Sequence, residues 1–190
     1  FSCSSDNRCL HAFPNRSYSD LTEFLSWGVT GKARQDGDSI IIPTRTGIDK
    51  LCLDGDLQFS QQLGLGWRNS PTALNGEYWI GDESGTLWHV SANQSVNSYS
   101  IGEGKIRHQP LIIDDDNLLI HLQLPSESEL KSLDTTTGEL TTVAKLGSSP
   151  AMPEIMNQYV ITADASYVSL IDCLENCHMV NQVPFRSNGE

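Results

Sequence analysis

The side chains best placed for recognition chemistry in this sequence are two arginines one repeat apart. Arg68 and Arg107 stand 39 residues from each other, each just ahead of a strand-opening proline, Pro71 and Pro110, with Trp67 and His108 beside them. A guanidinium presents a planar fork of donors that matches carboxylate and phosphate, and a neighbouring aromatic ring adds desolvated contact area. The pattern predicts a binding set of Trp67, Arg68, Arg107 and His108 that takes a small anionic ligand or a protein partner. Nothing comparable supports catalysis. The serines lie in no Gly-x-Ser-x-Gly elbow and the five histidines are scattered. His89 and His121 fall within predicted strands, where a satisfied structural histidine is expected. No catalytic residue, metal ligand or cofactor is assigned.

The five cysteines carry the second chemical signal. Cys3 and Cys9 form one close pair, Cys173 and Cys177 another, and Cys52 stands alone. Zinc knuckles want shorter spacing and nearby histidines, and only His178 adjoins a pair. Local disulfides are therefore favoured over free thiols, and both over metal. Disulfides imply an oxidising compartment. Cys52, in Lys-Leu-Cys-Leu-Asp, alternates like a strand and reads as a small buried hydrophobe.

Charge narrows the partners. Twenty-four acidic against 12 basic residues give a formal charge of −12, the opposite of the basic footprint that nucleic acid requires. Asp114-Asp115-Asp116-Asn117 is the one acidic run and reads as a solvated turn. No stretch of the sequence approaches the roughly 18 apolar residues of a membrane helix. A targeting or anchoring segment is expected upstream of Phe1.

What must position these residues is a repeat. Pro71, Pro110 and Pro150 recur 39 and 40 residues apart. Each precedes a short apolar strand: Tyr78-Trp-Ile80, Leu118-Leu-Ile120 and Tyr159-Val-Ile161. Ser39-Ile-Ile-Ile42 opens the series one period earlier, and there Lys32-Ala33 lacks the proline. An alternating strand follows in each unit, beginning near Lys50, Leu87, Leu130 and Val168 and ending in a polar turn. Gly138 and Asn176 each sit four residues after a turn-opening aspartate, Asp134 and Asp172, where a positive φ is expected. A further strand leaves each turn. Four short antiparallel strands per unit make a meander too thin to bury both faces alone, so neighbouring units must stack.

The segments Ser84-Gly-Thr-Leu-Trp-His-Val90 and Glu129-Leu-Lys-Ser-Leu-Asp-Thr-Thr-Thr-Gly138 resemble the Gly-x-Leu-x-x-Leu-Asp-x-x-Thr-Gly core of quinoprotein-like (PQQ-type) propeller repeats. The resemblance covers about residues 30–185. It implies an all-β fold, a β-propeller-type array of about four four-stranded antiparallel meanders. The family's usual Trp after the Thr-Gly turn is missing from most units. Propellers of this kind usually have seven or eight blades, which leaves three arrangements open: a closed four-bladed ring, a half-propeller completed by a second copy in a homodimer, or part of a larger protein. The family's quinone-dependent enzymes need a full ring, a calcium site and adjacent cysteines, and these residues offer none of the three.

The expected organisation is a polar N-terminal segment over residues 1–29 with a short helix at 19–25, a repeat domain over 30–185, and a tail over 186–190. The expected function is a non-enzymatic extracytoplasmic interaction or sensory domain, in one form the periplasmic part of a membrane-anchored bacterial transcriptional regulator. The alternatives are a scaffold similar to the propeller lipoprotein of outer-membrane protein assembly, and an unrecognised enzyme such as a hydrolase.

Overall fold

Central strands with apolar residues at consecutive positions need cover on both faces, and that requirement organises the molecule. The computed structural model describes residues 30–184 except 54, 65–68, 75, 149 and 150. The expected helix at 19–25, Cys3 and Cys9, Trp67 and Arg68, and the tail at 186–190 lie outside the described residues.

Four sheets of four strands follow one another along the chain. The first comprises β1 (Arg34–Asp36), β2 (Ser39–Thr44), β3 (Gly47–Cys52) and β4 (Leu57–Gln62). The second comprises β5 (Thr72–Leu74), β6 (Glu77–Gly81), β7 (Thr86–Val90) and β8 (Val96–Ser100). In the third are β9 (Leu111–Ile112), β10 (Asn117–Gln123), β11 (Glu127–Asp134) and β12 (Leu140–Gly147). In the fourth are β13 (Glu154–Met156), β14 (Tyr159–Ala163), β15 (Tyr167–Asp172) and β16 (His178–Pro184). Within each sheet the strands pair antiparallel in chain order. The predicted all-β array of four meanders is what the chain forms, and among the described residues there is no helix.

Side chains alternate across a strand, so each sheet has a leading face toward the sheet before it and a trailing face toward the sheet after it. Ile41 and Ile48 on the trailing face of the first sheet pack with Tyr78, Ile80 and Val90 on the leading face of the second. Trp79 and Leu87 then meet Leu118, Ile120 and Leu133. Leu119 and Leu130 meet Val160 and Ile171. This explains why β2 is buried at all six positions and why β10 carries five consecutive buried residues. Outer strands see less of the stack, and β16 is exposed at six of seven positions.

The fourth sheet departs from this rule. Its leading face is covered by the third, but its trailing face holds Ile161, Leu170, Val168 and Val183 in register without a described cover. Burial along β14 accordingly alternates, with Val160 and Thr162 buried and Ile161 between them half-buried. Met156 and Val183 are 55% and 54% exposed. Among the described residues, no apolar cluster joins the fourth sheet to the first. Among the described residues, it is the fourth sheet's trailing face that is left partly uncovered.

Turn chemistry matches the expectation in part. Gly138 takes φ +76°, while the Asp134 carboxylate accepts the amides of Thr136 and Thr137, each at 2.8 Å. Asn176 does not take a positive φ. Its turn is closed by the Cys173–Cys177 disulfide and by the Leu174 amide donating to Asp172 Oδ1 at 2.9 Å. Asn157, in the turn between β13 and β14, takes φ +57° instead. Cys52 is also corrected: it is half-buried, with its sulfur accepting from Gln58 Nε2 at 2.8 Å, because it lies at the outer end of β3 beside the turn.

The partly uncovered face makes a quantitative prediction. Leu119, 1% exposed on a covered trailing face, and Ile161 occupy the same position of the second strand in successive sheets. Leu119→Ala is expected to lower urea-unfolding stability by about 2–5 kcal/mol, and Ile161→Ala by less than about 1 kcal/mol. Equal losses would mean that the last trailing face is covered in solution.

Candidate functional site

The segments that lead into the inner strands converge on one cavity of about 530 Å³. Thr30 to Arg34 enter from the first sheet, Ser70 from the second, Arg107 to Gln109 from the third and Met152 from the fourth. The segments nest closely. A Cβ on Gly31 would lie 1.7 Å from the Asn69 carbonyl oxygen, and one on Gly81 would lie 2.1 Å from Ile106 Cγ2, so only glycine fits at either crossing. Asn69, fully buried, clips the second and third lead-ins by donating from Nδ2 to the carbonyls of Gly81 at 2.5 Å and Ile106 at 2.8 Å. The Lys32 amide donates to Ser70 Oγ at 3.1 Å, and Gln109 Nε2 donates to Thr72 Oγ1 at 3.1 Å.

Of the four residues expected to bind a ligand, Arg107 and His108 line this cavity. Trp67 and Arg68 lie outside the described residues, so the proposed convergence of two arginines rests on one of them. Arg107 carries less free charge than expected. Its Nε and Nη2 reach the two oxygens of Glu83 at 2.7 and 2.8 Å, with Lys105 3.3 Å away on the same carboxylate. The hydrogen bonds from Arg107 hold the Glu83 carboxyl below the usual carboxylate range, outweighing the opposing effect of its partial burial. Arg107 thus clasps the turn between β6 and β7 to the third lead-in.

The cations that sequence reasoning missed are Lys32 and Arg34. Both line the cavity, and no carboxylate among the described residues pairs with either. Arg34 Nε is buried without a hydrogen-bond partner. In strand register Lys32 and Arg34 stand where the second unit has Ser70 and Thr72, so the first unit carries cations at positions that are polar but neutral there.

His121 stands behind His108. It is 3% exposed, neither ring nitrogen has a partner, and its ring centroid lies 5.0 Å from that of His108. The expectation of a satisfied histidine fails here because β10 presents the ring to an apolar surface. Burial, followed by the charge of His108, pushes its pKa down to about 4. His89 fits the expectation better. Its Nε2 lies 2.8 Å from Glu77 Oε2, and its ring stacks on Trp79 with centroids 4.0 Å apart, which ties β7 to β6 within the core between sheets.

Two other candidates resolve simply. Cys173 and Cys177 are disulfide-bonded across the turn between β15 and β16, which points to an oxidising, extracytoplasmic setting. Asp114 to Asp116 are exposed, with Asp114 Oδ1 accepting the Asp116 amide at 2.9 Å, as a solvated turn should.

No family model and no curated protein matches the chain. Among solved structures it is similar to BamB from Moraxella catarrhalis, with 18% identity and a TM-score of 0.66 over 85% of this chain and 51% of that one. It is also similar to the computationally designed Ika4 protein, with 12% identity and a TM-score of 0.63 over 76% of this chain and 90% of that one. AztD from Citrobacter koseri matches with 11% identity and a TM-score of 0.58 over 84% of this chain and 48% of that one. The fold is β-propeller-like. The chain spans about half the length of BamB and of AztD. The cavity where the lead-ins meet is the axial mouth of such a stack.

His121 sets the expected acid response. Its lowered pKa means that the unfolded chain takes up a proton which the folded chain refuses, so stability is complete above pH 6.5 and falls as pH drops toward 4. Between pH 7.5 and 5 the wild type should lose about 2 kcal/mol from this residue, a loss absent from His121→Phe. Urea midpoints of the two proteins at both pH values check it.

Proposed function

We propose that this chain is a non-enzymatic binding domain that works outside the cytoplasm and recognises a small ligand at its axial mouth. The observation that carries the reading is the convergence of all four lead-in segments on one cavity lined by Lys32, Arg34, Arg107 and His108. The Cys173–Cys177 disulfide supports the compartment. Sites at the mouths of β architectures, built from loops on a rigid frame, are a common place for ligands. In the form expected from the sequence, the domain is the periplasmic part of a membrane-anchored transcriptional regulator, and occupancy of the mouth is its signal. Its repeats are read as quinoprotein-like on Gly85-Thr-Leu87 and Leu133-Asp-Thr-Thr-Thr-Gly138.

A second reading has its own support. The open trailing face of the fourth sheet, with Met156 and Val183 exposed, suits a scaffold that adds a partner protein to the end of its stack. The likeness to BamB favours a role similar to that of the propeller lipoprotein of outer-membrane protein assembly.

One experiment separates the two. Periplasmic extract is divided into low-mass and high-mass fractions, and each is tested for raising the Tm of the purified domain. A shift from the low-mass fraction, lost in the mouth-filling variant Met152→Trp, is the expected result. A shift from the high-mass fraction alone, lost in Val183→Glu, would replace the ligand reading with the scaffold reading. No shift from either overturns both.

A further inference from the structure

We infer that the axial mouth is an oxyanion site, with Lys32 and Arg34 as its charge-bearing ligand residues and a small polyanion bearing phosphate or carboxylate groups as its occupant. The inference rests on the ligand reading above and specifies the chemistry of that same cavity.

Three observations carry it. First, the mouth reverses the sign of the molecule. The chain bears a formal charge of −12, yet the described residues lining the cavity include Lys32, Arg34, Arg107 and His108 and no carboxylate. A cleft lined by one sign of charge between low-dielectric walls concentrates the field at its mouth. Second, the cations differ in their commitments. Arg107 spends two donors on Glu83 and serves the frame, whereas Lys32 and Arg34 have no carboxylate partner among the described residues. Third, Arg34 holds a desolvated donor in reserve. Its Nε is buried and unpartnered. A buried donor left unmade is costly, and an incoming oxygen acceptor would relieve it.

The occupant follows from these donors. A guanidinium and an ammonium with no carboxylate partner among the described residues bind compact oxygen anions, with arginine able to engage two oxygens of one group. Ser70 lines the same cavity with a hydroxyl for a ligand's remaining polar atoms. A cavity of about 530 Å³ admits a ligand with several charged groups rather than a single inorganic ion.

Isothermal titration of the purified domain with inorganic pyrophosphate and, separately, with citrate tests the inference. At least one of the two should bind, and the double variant Lys32→Ala/Arg34→Ala should weaken that binding by about tenfold or more. Lys32→Arg/Arg34→Lys should retain most of it, and Lys145→Ala, an exposed lysine on an outer strand, should leave it unchanged. Thermal unfolding confirms that each variant is folded. A preference for pyrophosphate assigns the ligand's groups as phosphate, and a preference for citrate assigns them as carboxylate. Binding that survives in the double variant overturns the inference, as does failure of both anions to bind. If both anions fail while the low-mass extract fraction still raises the Tm, the oxyanion assignment falls and the ligand reading stands.

Discussion

A four-stranded meander of strands two to eight residues long has two faces and too little thickness to bury either, so every sheet here depends on its neighbours. The apolar contacts lie between sheets: Ile41 and Ile48 with Tyr78 and Ile80, Trp79 and Leu87 with Leu118 and Ile120, Leu119 and Leu130 with Val160 and Ile171. Most backbone hydrogen bonds run within sheets, and a few, such as that from the Ile106 amide to the Asp82 carbonyl at 2.8 Å, tie a lead-in to the preceding sheet. Stability is thus a nearest-neighbour property, as in other repeat architectures. A stack built this way has two end faces. The first sheet's leading face, with Ile40, Ile42 and Leu51, is buried, and the fourth sheet's trailing face is half open.

Polar side chains do a different job from the apolar ones, fixing how far each sheet is rotated against the next. Asp36, Lys50 and Tyr78 form one such brace. The Tyr78 hydroxyl donates to Asp36 Oδ2 at 2.5 Å, and Lys50 Nζ reaches that hydroxyl at 2.6 Å. This triad joins the first sheet to the second beside their shared apolar surface. Asn69 does the same near the axis for the second and third lead-ins. Neighbouring sheets packed by apolar contacts alone could slide, whereas directional bonds at both margins select one arrangement. The mouth inherits its geometry from these bonds, because Gly31 rests directly on Asn69 and the Lys32 amide is held by Ser70.

The stacking was legible in the sequence because it is periodic. Prolines 39 and 40 residues apart, and the runs Ile40-Ile-Ile42, Tyr78-Trp-Ile80 and Leu118-Leu-Ile120, state both the repeat and the need for two-sided burial. The site was only half legible. Arg107 and His108 could be placed at the mouth by their position in the repeat. The pairing of Arg107 with Glu83 could not, because it joins side chains 24 residues apart across a turn. Lys32 and Arg34 were overlooked because they stand in the unit that has lost its proline, where the pattern is weakest. His121 was misjudged for a related reason. Strand alternation fixes which face a ring points to, but hydrogen-bond partners on that face come from the next sheet.

The unit with the weakest pattern is also the one whose lead-in brings two cations, Lys32 and Arg34, to the mouth. The acidic exterior does not cancel them. At physiological ionic strength fields from exposed charges decay over about 8 Å, so surface carboxylates repel an anion chiefly when they are close to it. Glu83, on the turn that Arg107 clasps, is already occupied by Arg107 and Lys105. The pairing that removes Arg107 as a ligand residue therefore also removes Glu83 as a repulsive one. What remains facing the cavity is the charge of Lys32 and Arg34, which no carboxylate among the described residues pairs.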